Sequence, residues 1–308
     1  MQSTLPTHFV STTRTASAKS IYQIVTDEII KKLDAGTVPW RQPWVGGEMP
    51  QNFITKRPYG GINAFLLWCS EYPHPYWLTF NQCVKAGGSV KKGEKGTLVV
   101  FWKKFPMVKV TNEKTGEEED KVGFMLRYFK VFNVSQCDGL TIPVKEARKT
   151  ISPIVKCDAL MIGYTDRPEV AVGGQRATYN TKTDVVNIPE QKSFHKDEQF
   201  YATLFHEFTH STGAAKRLNR KGVAGEHKIF GSEDYSKEEL IAEFGSAFLC
   251  AHAGIMPTTL ADSASYIDHW KKELQADSRL LVSAASQAQK AANYILQIPS
   301  LSSNGQAA

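Results

Sequence analysis

A His-Glu-x-x-His motif, formed by His206, Glu207 and His210, is the segment of this sequence best suited to catalysis. On a helix, His206 and His210 share one face, whereas Glu207 projects roughly 100° away. Two neutral imidazoles there can bind a divalent ion, with a third protein ligand from elsewhere and one open position for water. Glu207 would then be the general base that deprotonates this water. The motif predicts a metal-dependent hydrolase; the alternative is a buried helix with two structural histidines.

The third ligand is predicted on a second helix downstream, which is the arrangement of the gluzincins. Apolar residues at helical spacing surround Glu243, and a carboxylate on a buried face is costly unless it is paired or bound to metal. Glu243 is therefore the predicted ligand. Glu239, one turn earlier, is predicted to cap the helix or to support the ligands from outside the coordination sphere. Ser236 and Glu239 are typical of a capping box that opens this helix.

Other residues near this helix could serve the same centre. Tyr235 is a candidate to stabilise the oxyanion of a substrate carbonyl, with simple packing as the alternative. His227 and Glu226 could compete as ligands, but they lie in a Gly-rich loop and are interpreted as exposed residues. Zn²⁺ is the predicted metal, and Mn²⁺ or Co²⁺ would fit the same nitrogen and oxygen ligands.

Two short predicted strands, residues 177–179 and 184–189, precede the motif helix. In a peptidase such an edge strand can pair with an extended substrate by strand addition. An ordinary hairpin is the alternative.

Charge and tryptophan are unevenly distributed along the chain. Residues 1–140 hold 18 Lys and Arg against 12 Asp and Glu, whereas residues 141–308 hold 19 of each, so the first half carries the whole net charge of +6. Five of the six tryptophans also lie in the first half. This asymmetry indicates two domains with different functions.

The first half has the composition of a single-stranded nucleic-acid-binding domain, in which cations follow the phosphates and bases stack on aromatic rings. Predicted helices at residues 20–33, 61–70 and 79–86 precede strands at 97–103 and 124–134, an α+β arrangement. The alternative is that the aromatic residues are core and the lysines a solvated rim. The predicted DNA-binding residues are Trp40, Arg41, Trp44, Arg57, Tyr59, Lys91, Lys95, Trp102, Arg127 and Tyr128.

The domain prediction divides the chain into five parts. They are a disordered tail (1–18), a single-stranded DNA-binding domain (19–140), a linker (141–155), a metallopeptidase domain (156–299) and a second tail (300–308). No apolar run is long enough to span a membrane, and no secretory signal is visible. Five widely spaced cysteines give no disulfide framework or CxxC knuckle, so a soluble cytoplasmic protein is expected.

Over nearly its whole length the chain resembles the plasmid-borne ArdC antirestriction family. The resemblance rests on Tyr59-x-Gly61-x-Asn63 and neighbouring motifs in the first half, and on the His-Glu-x-x-His motif, Arg217-Leu218 and Glu238-Glu239 with Glu243 in the second. It implies an α+β single-strand-binding domain followed by a mainly helical, zincin-like (gluzincin) metallopeptidase domain.

The same resemblance implies protection of incoming conjugative DNA from host restriction, and binding of single-stranded DNA without strict sequence preference. A host restriction enzyme or another host protein is a candidate peptidase substrate, which the resemblance itself does not imply. The alternative function is a DNA-binding shield whose metal domain is structural or regulatory.

Overall fold

The computed structural model describes residues 19–41, 49–70, 72–111, 118–143, 152–224, 233–255 and 264–299. Trp44, Glu226 and His227 lie outside the described residues, as do both predicted tails and residues 144–151 of the predicted linker. Among the described helices, none combines the length and the apolar character that a membrane span requires.

The first half is a four-stranded sheet with helices packed on it. Its elements are α1 (Ile21–Asp34), β1 (Gln51–Asn52), α2 (Ile62–Trp68), β2 (Tyr76–Thr79), α3 (Phe80–Lys85), β3 (Ser89–Val90), β4 (Thr97–Thr111), β5 (Glu118–Asn133) and β6 (Cys137–Asp138). The sheet order is β1-β2-β5-β4, and β3 pairs separately with β6.

The second half is mainly helical. Its elements are α4 (Pro153–Gly163), β7 (Glu169–Val172), β8 (Thr178–Asn180), β9 (Val185–Ile188), α5 (Asp197–Ser211), α6 (Lys221–Ala224), α7 (Glu233–Ala253), α8 (Ala264–Ala276) and α9 (Leu280–Ile295). The three strands form a small sheet of order β7-β9-β8. The predicted α+β fold class is confirmed.

The local sequence signals for helix starts agree with the structure in two cases and fail in a third. The Ser20 side chain accepts a hydrogen bond at the start of α1, and Thr79 forms a capping box with Gln82 at the start of α3. The capping box predicted at Ser236 is wrong, because α7 already begins at Glu233. The acidic pair Glu233 and Asp234 suits a helix N-terminus and extends the helix upstream.

The β4–β5 hairpin is longer than the sequence predicted. The predicted strand ended at residue 103, whereas β4 continues to Thr111 after a register shift between Lys104 and Met107. Pro106 lies within this interval, and a proline interrupts strand pairing because it has no backbone N–H to donate.

Asn63 on α2 satisfies the backbone at the outer edge of β4. Its side-chain amide donates to the carbonyl of Val100 at 2.7 Å and its carbonyl accepts from the Val100 N–H, also at 2.7 Å. Both residues are buried. Water therefore cannot replace these bonds.

Asn63→Ala is expected to destabilise the fold by about 2–5 kcal/mol, since each of two buried backbone groups left without a partner costs about 1–3 kcal/mol. Denaturant unfolding measures this directly. Asn63→Asp keeps the acceptor but puts a buried carboxylate against the Val100 carbonyl, so it should not restore the stability of the wild type. Equal unfolding midpoints for Asn63→Ala and the wild type would contradict this role.

The two halves share one hydrophobic core. The Phe65 ring of α2 lies 4.4 Å from the Phe244 ring and 4.9 Å from the Phe248 ring of α7, centroid to centroid. Trp68 also packs on Phe248, and Trp40 meets Phe244 edge-on at 5.2 Å. A fragment limited to the first half would expose these aromatic surfaces to water.

Candidate metal centre

The His-Glu-x-x-His motif lies on α5, a helix that the hydrophobic core holds in place. Its inward residues include Tyr201, Leu204, Phe205 and Phe208, all buried. The helix ends at Ser211, and Thr212 is its C-cap. The motif histidines lie on the partly accessible side of α5, next to α7.

A glycine allows α7 to approach α5 closely at the motif. A Cβ atom at Gly245 would lie only 2.4 Å from the Thr209 side chain. Glycine in a helix interior costs about 1 kcal/mol relative to alanine, so close packing is the physical reason for this residue. The contact sets the separation of the two helices that carry the candidate ligands.

His206, His210 and Glu239 converge at one point. The two Nε2 atoms are 3.1 Å apart, and each lies 3.6 Å from a different carboxylate oxygen of Glu239. Among the described residues these three form the group of potential ligands, with all ligand atoms within 4.8 Å of one another. Their side chains are 17, 14 and 32 % exposed, so the cluster can be reached from solvent.

Glu243, the predicted third ligand, is placed elsewhere. Its Oε1 accepts a 2.8 Å hydrogen bond from Nη2 of Arg41, and it is not a member of the ligand group. The sequence analysis chose Glu243 and assigned Glu239, one turn earlier on the same helix, to the helix cap or to support of the ligands. The structure selects Glu239 as the residue that meets the histidines, because a cation from the first half of the chain pairs with Glu243.

Glu238 supports the cluster, a role that the sequence reasoning missed. Its Oε1 lies 3.3 Å from Nδ1 of His210, and both its oxygens accept hydrogen bonds from Arg220, at 3.0 and 2.6 Å. Burial alone would raise the pKa of Glu238, but the bonds from His210 and Arg220 lower it. A carboxylate on the far nitrogen of a ligating histidine fixes the tautomer and the ring orientation.

Arg220 ties this support to the end of the motif helix. Its guanidinium also donates to the Thr209 carbonyl at 2.7 Å and to the Thr212 hydroxyl at 2.6 Å. The only sequence signal for this arrangement was the Glu238-Glu239 doublet itself, in which one carboxylate points at the cluster and its neighbour points at an arginine.

In the metal-free cluster, the electrostatic interactions favour the charged forms of His206 and Glu239. Burial would lower the pKa of His206, but its hydrogen bond to Glu239 and the charges of Glu243 and Glu207 raise that pKa to about 9. Burial would raise the pKa of Glu239, but the bond to His206 and the charges of both histidines hold that pKa at about 2. The group therefore holds a proton at neutral pH that a divalent cation would displace on binding.

Glu207 and Tyr235 lie on the same two helices as the cluster, and their catalytic roles stay predictions. Glu207 follows His206 on α5 and is 7 % exposed. The pKa of Tyr235 is raised, mainly by burial and also by the charge of Glu239 and a hydrogen bond to that carboxylate. The charge of Glu207 acts on Tyr235 as well. The Tyr235 hydroxyl is thus protonated and lies next to a carboxylate of the candidate ligand set.

Three of the predicted DNA-binding residues are part of the interior. Trp40 is 1 % exposed, and its Nε1 donates to the Tyr266 hydroxyl at 3.1 Å. Arg41 is paired with Glu243, and Tyr59 is buried in a cluster with Trp77. The burial of these three residues in the fold argues against the prediction that they contact DNA.

The other predicted DNA-binding residues that the structure describes are exposed, but they do not share one surface. Strand register puts Trp102 opposite Leu126 and Tyr128 opposite Val100, on one face of the hairpin. Phe101 is opposite Arg127, on the other face. The exposed residues are Arg57, Lys91, Lys95, Trp102, Arg127 and Tyr128.

The face that carries Arg127 holds aromatic residues that the sequence reasoning did not select. We call it the Arg127 face, formed by Phe101, Lys103, Met125, Arg127 and Phe129. The Phe101 and Phe129 rings meet edge-on at 5.8 Å, and Phe129 is 39 % exposed. On the opposite face, Trp102 lies against Tyr22 of α1 at 6.4 Å. Alternation along the two strands was the signal that could have separated the faces.

Two family profiles match the two halves of the chain. The profile of the N-terminal domain of anti-restriction factor ArdC matches residues 19–132, and a zincin-like metallopeptidase profile matches residues 160–287. An uncharacterized Sinorhizobium fredii protein, y4eC, is 34% identical over 89% of the chain and 91% of its own length.

A DNA primase, TraC, of Escherichia coli is 35% identical over 90% of this chain. The chain spans 27% of that primase and 20% of a second TraC primase from the same species, to which it is 33% identical. It therefore corresponds to about a quarter of these longer relatives.

The antirestriction ArdC protein of plasmid R388 has a similar structure. Its metal-free crystal structure is 36% identical in sequence, with a TM-score of 0.72 over 91% of this chain and 97% of that one. Its Mn(II)-bound crystal structure is 34% identical, with a TM-score of 0.70 over 91% of this chain and 98% of that one. The similarity thus extends across both halves and their relative placement.

Proposed function

Since this chain belongs to the ArdC antirestriction family, we propose that it protects incoming DNA from restriction, binds single-stranded DNA and holds a divalent metal in a peptidase-type hydrolytic centre. One observation carries the hydrolytic part of the proposal. His206, His210 and Glu239 converge beside the buried carboxylate of Glu207. A purely structural site would normally have four protein ligands and no use for that carboxylate.

The three converging residues fit a divalent metal by their chemistry. Two imidazole nitrogens and one carboxylate suit Zn²⁺ and also Mn²⁺, the ion present in the R388 protein. When bound, the metal would polarise the substrate carbonyl and acidify its water. Glu238 would keep Nε2 of His210 directed at the ion by holding Nδ1.

The other residues of the centre would move protons and stabilise charge. Glu207 would accept a proton from the attacking water and deliver it to the leaving amine of a peptide bond. Tyr235, protonated and next to Glu239, would donate a hydrogen bond to the oxygen that becomes negative. The proposed substrate is therefore a protein, and a host restriction enzyme is one candidate, although membership of the family does not by itself imply it.

A metal titration tests the centre first. Protein freed of metal by a chelator is expected to bind one Zn²⁺ or Mn²⁺ per chain, with release of protons because His206 is protonated in the metal-free state. Calorimetry in buffers of different ionisation enthalpy measures both quantities. The proposal fails if neither ion binds, or if His206→Ala binds as tightly as the wild type.

Single-stranded DNA binding is proposed for the Arg127 face. It presents a cation, Arg127, beside the exposed Phe129 ring, the combination that stacks bases and neutralises phosphates. This replaces the larger set of residues expected from sequence, of which Lys91, Lys95 and Arg57 remain exposed cations elsewhere in the same half.

Phe129→Ala is expected to weaken binding of a single-stranded oligonucleotide by about 5- to 150-fold, since each stacked base contributes about 1–3 kcal/mol. Arg127→Ala should also reduce the slope of log K against log salt by about 0.7, the loss of one phosphate contact. Fluorescence anisotropy at several salt concentrations measures both effects. Tyr128→Ala is the matched control, a neighbouring residue on the opposite face, and a larger loss for Tyr128→Ala would contradict the choice of face.

A further inference from the structure

The first half of the chain contributes a cation to the surroundings of the metal centre. Arg41 reaches across the shared core, where its guanidinium lies 3.8 Å above the Tyr266 ring and donates to Glu243 at 2.8 Å. The Arg41 and Glu243 side chains are only 10 and 13 % exposed. The pair is therefore shielded from solvent. In such an environment the Coulomb attraction between the two charges is much stronger than at the protein surface.

Glu243 shares a face of α7 with the candidate ligand Glu239. It lies one helical turn after Glu239 on α7, and side chains at this spacing are neighbours on one face. Without Arg41 it would be a buried carboxylate without its cation, next to a site that is to hold a doubly charged ion.

We propose that Arg41 is a positioning residue for the metal centre, which holds Glu243 away from the metal and so keeps one coordination position open for water. The inference rests on the proposed metal site. A fourth protein ligand would convert an open catalytic site into the closed type that serves structure only. The Arg41–Glu243 pair thus makes the architecture of the first half a condition for hydrolysis in the second.

The alternative is that Arg41 stabilises the positions of the metal ligands without affecting which residues bind the metal. The two roles predict opposite changes in metal affinity when Arg41 is replaced. Loss of a supporting group weakens metal binding by about 10- to 100-fold. Release of Glu243 as an additional ligand would instead tighten binding. The direction of the change therefore separates the two roles, whatever its size.

The test uses Co²⁺ as the probe in the full-length chain, since its visible absorption reports the number and geometry of its ligands. Arg41→Gln is expected to bind Co²⁺ more tightly than the wild type, with an altered spectrum and reduced hydrolysis of a peptide substrate. Arg41→Gln combined with Glu243→Gln should restore the wild-type spectrum. Arg41→Lys, which keeps the cation, should resemble the wild type.

Controls separate this effect from damage to the interface and from failure of the metal site. Lys271→Ala removes another ion pair between the halves, with Asp34 at 2.6 Å, and should leave the cobalt spectrum unchanged. Glu243→Gln alone should also leave the spectrum unchanged. A changed spectrum in this second variant would overturn the inference even if Arg41→Gln does not fold.

Three outcomes would overturn the inference while the proposed metal site stands. They are an unchanged spectrum and affinity in folded Arg41→Gln, a weaker affinity in that variant, and a changed spectrum in Glu243→Gln, which would make Glu243 a ligand already. A wild-type protein that binds no Co²⁺, Zn²⁺ or Mn²⁺ would instead refute the proposed metal centre itself.

Discussion

Glu207→Gln is expected to lower peptide hydrolysis by about 10²- to 10⁴-fold, the contribution of a positioned general base. Glutamine has nearly the same shape and cannot accept the proton from water, so the fold and the metal ligands should be retained. Cleavage of a denatured casein, with metal content measured in parallel, gives the comparison. Glu198→Gln, near the start of the same helix, is the matched control and should retain full activity.

The same variant decides how the protein protects DNA. Conjugative transfer into a restricting host should fall with Glu207→Gln if hydrolysis is the means of protection, while binding of single-stranded DNA stays at the wild-type level. Full protection by a variant that no longer cleaves would favour the shield, in which DNA occupancy suffices. Wild-type protein without any cleavage of casein or of restriction enzymes would count against the peptidase proposal.

Glu239→Ala is expected to weaken divalent metal binding by more than about 100-fold. Loss of a residue that only hydrogen-bonds to a metal ligand weakens metal binding less, by about 10- to 100-fold. The reason is that Glu239 supplies the only carboxylate in the converging group of described residues. Glu243 lies one turn away on the same helix, and Glu243→Ala removes the same chemical group, so this variant is the matched comparison. It should change metal affinity much less, since Glu243 is held by Arg41.

Competition against a chromophoric chelator measures both affinities under the same conditions. A larger loss for Glu243→Ala than for Glu239→Ala would return the third-ligand role to Glu243. Equal, small losses in both variants would mean that the two histidines bind metal without a carboxylate from α7.

The choice between Glu239 and Glu243 shows where sequence reasoning about this site ended. Helical periodicity correctly put both glutamates on one side of α7, but it could not separate two residues one turn apart. The deciding contact comes from Arg41, which is distant in sequence and was expected to face DNA. Only a folded chain brings a residue of the first half next to α7.

The aromatic residues of the first half show the same limit. Composition identified a basic, tryptophan-rich half, yet Trp40 and Tyr59 proved to be core. Composition cannot reveal that Trp40 packs against α7, because that contact depends on how the halves dock. The alternation of the β4–β5 hairpin, in contrast, was readable in principle once the strands were known.

Sequence patterns predicted much of the local structure: a histidine pair on one helical face with an acid beside it, helices that begin near Ser20 and Thr79, and two paired strands that are shorter than those observed. These features depend on neighbours within a few residues, where helix and strand geometry is fixed. The tertiary structure alone decided which glutamate meets the histidines, that Glu238 and Arg220 support them, and that both halves share one core. Those outcomes depend on long-range packing and on the pairing of buried charges, which local sequence does not specify.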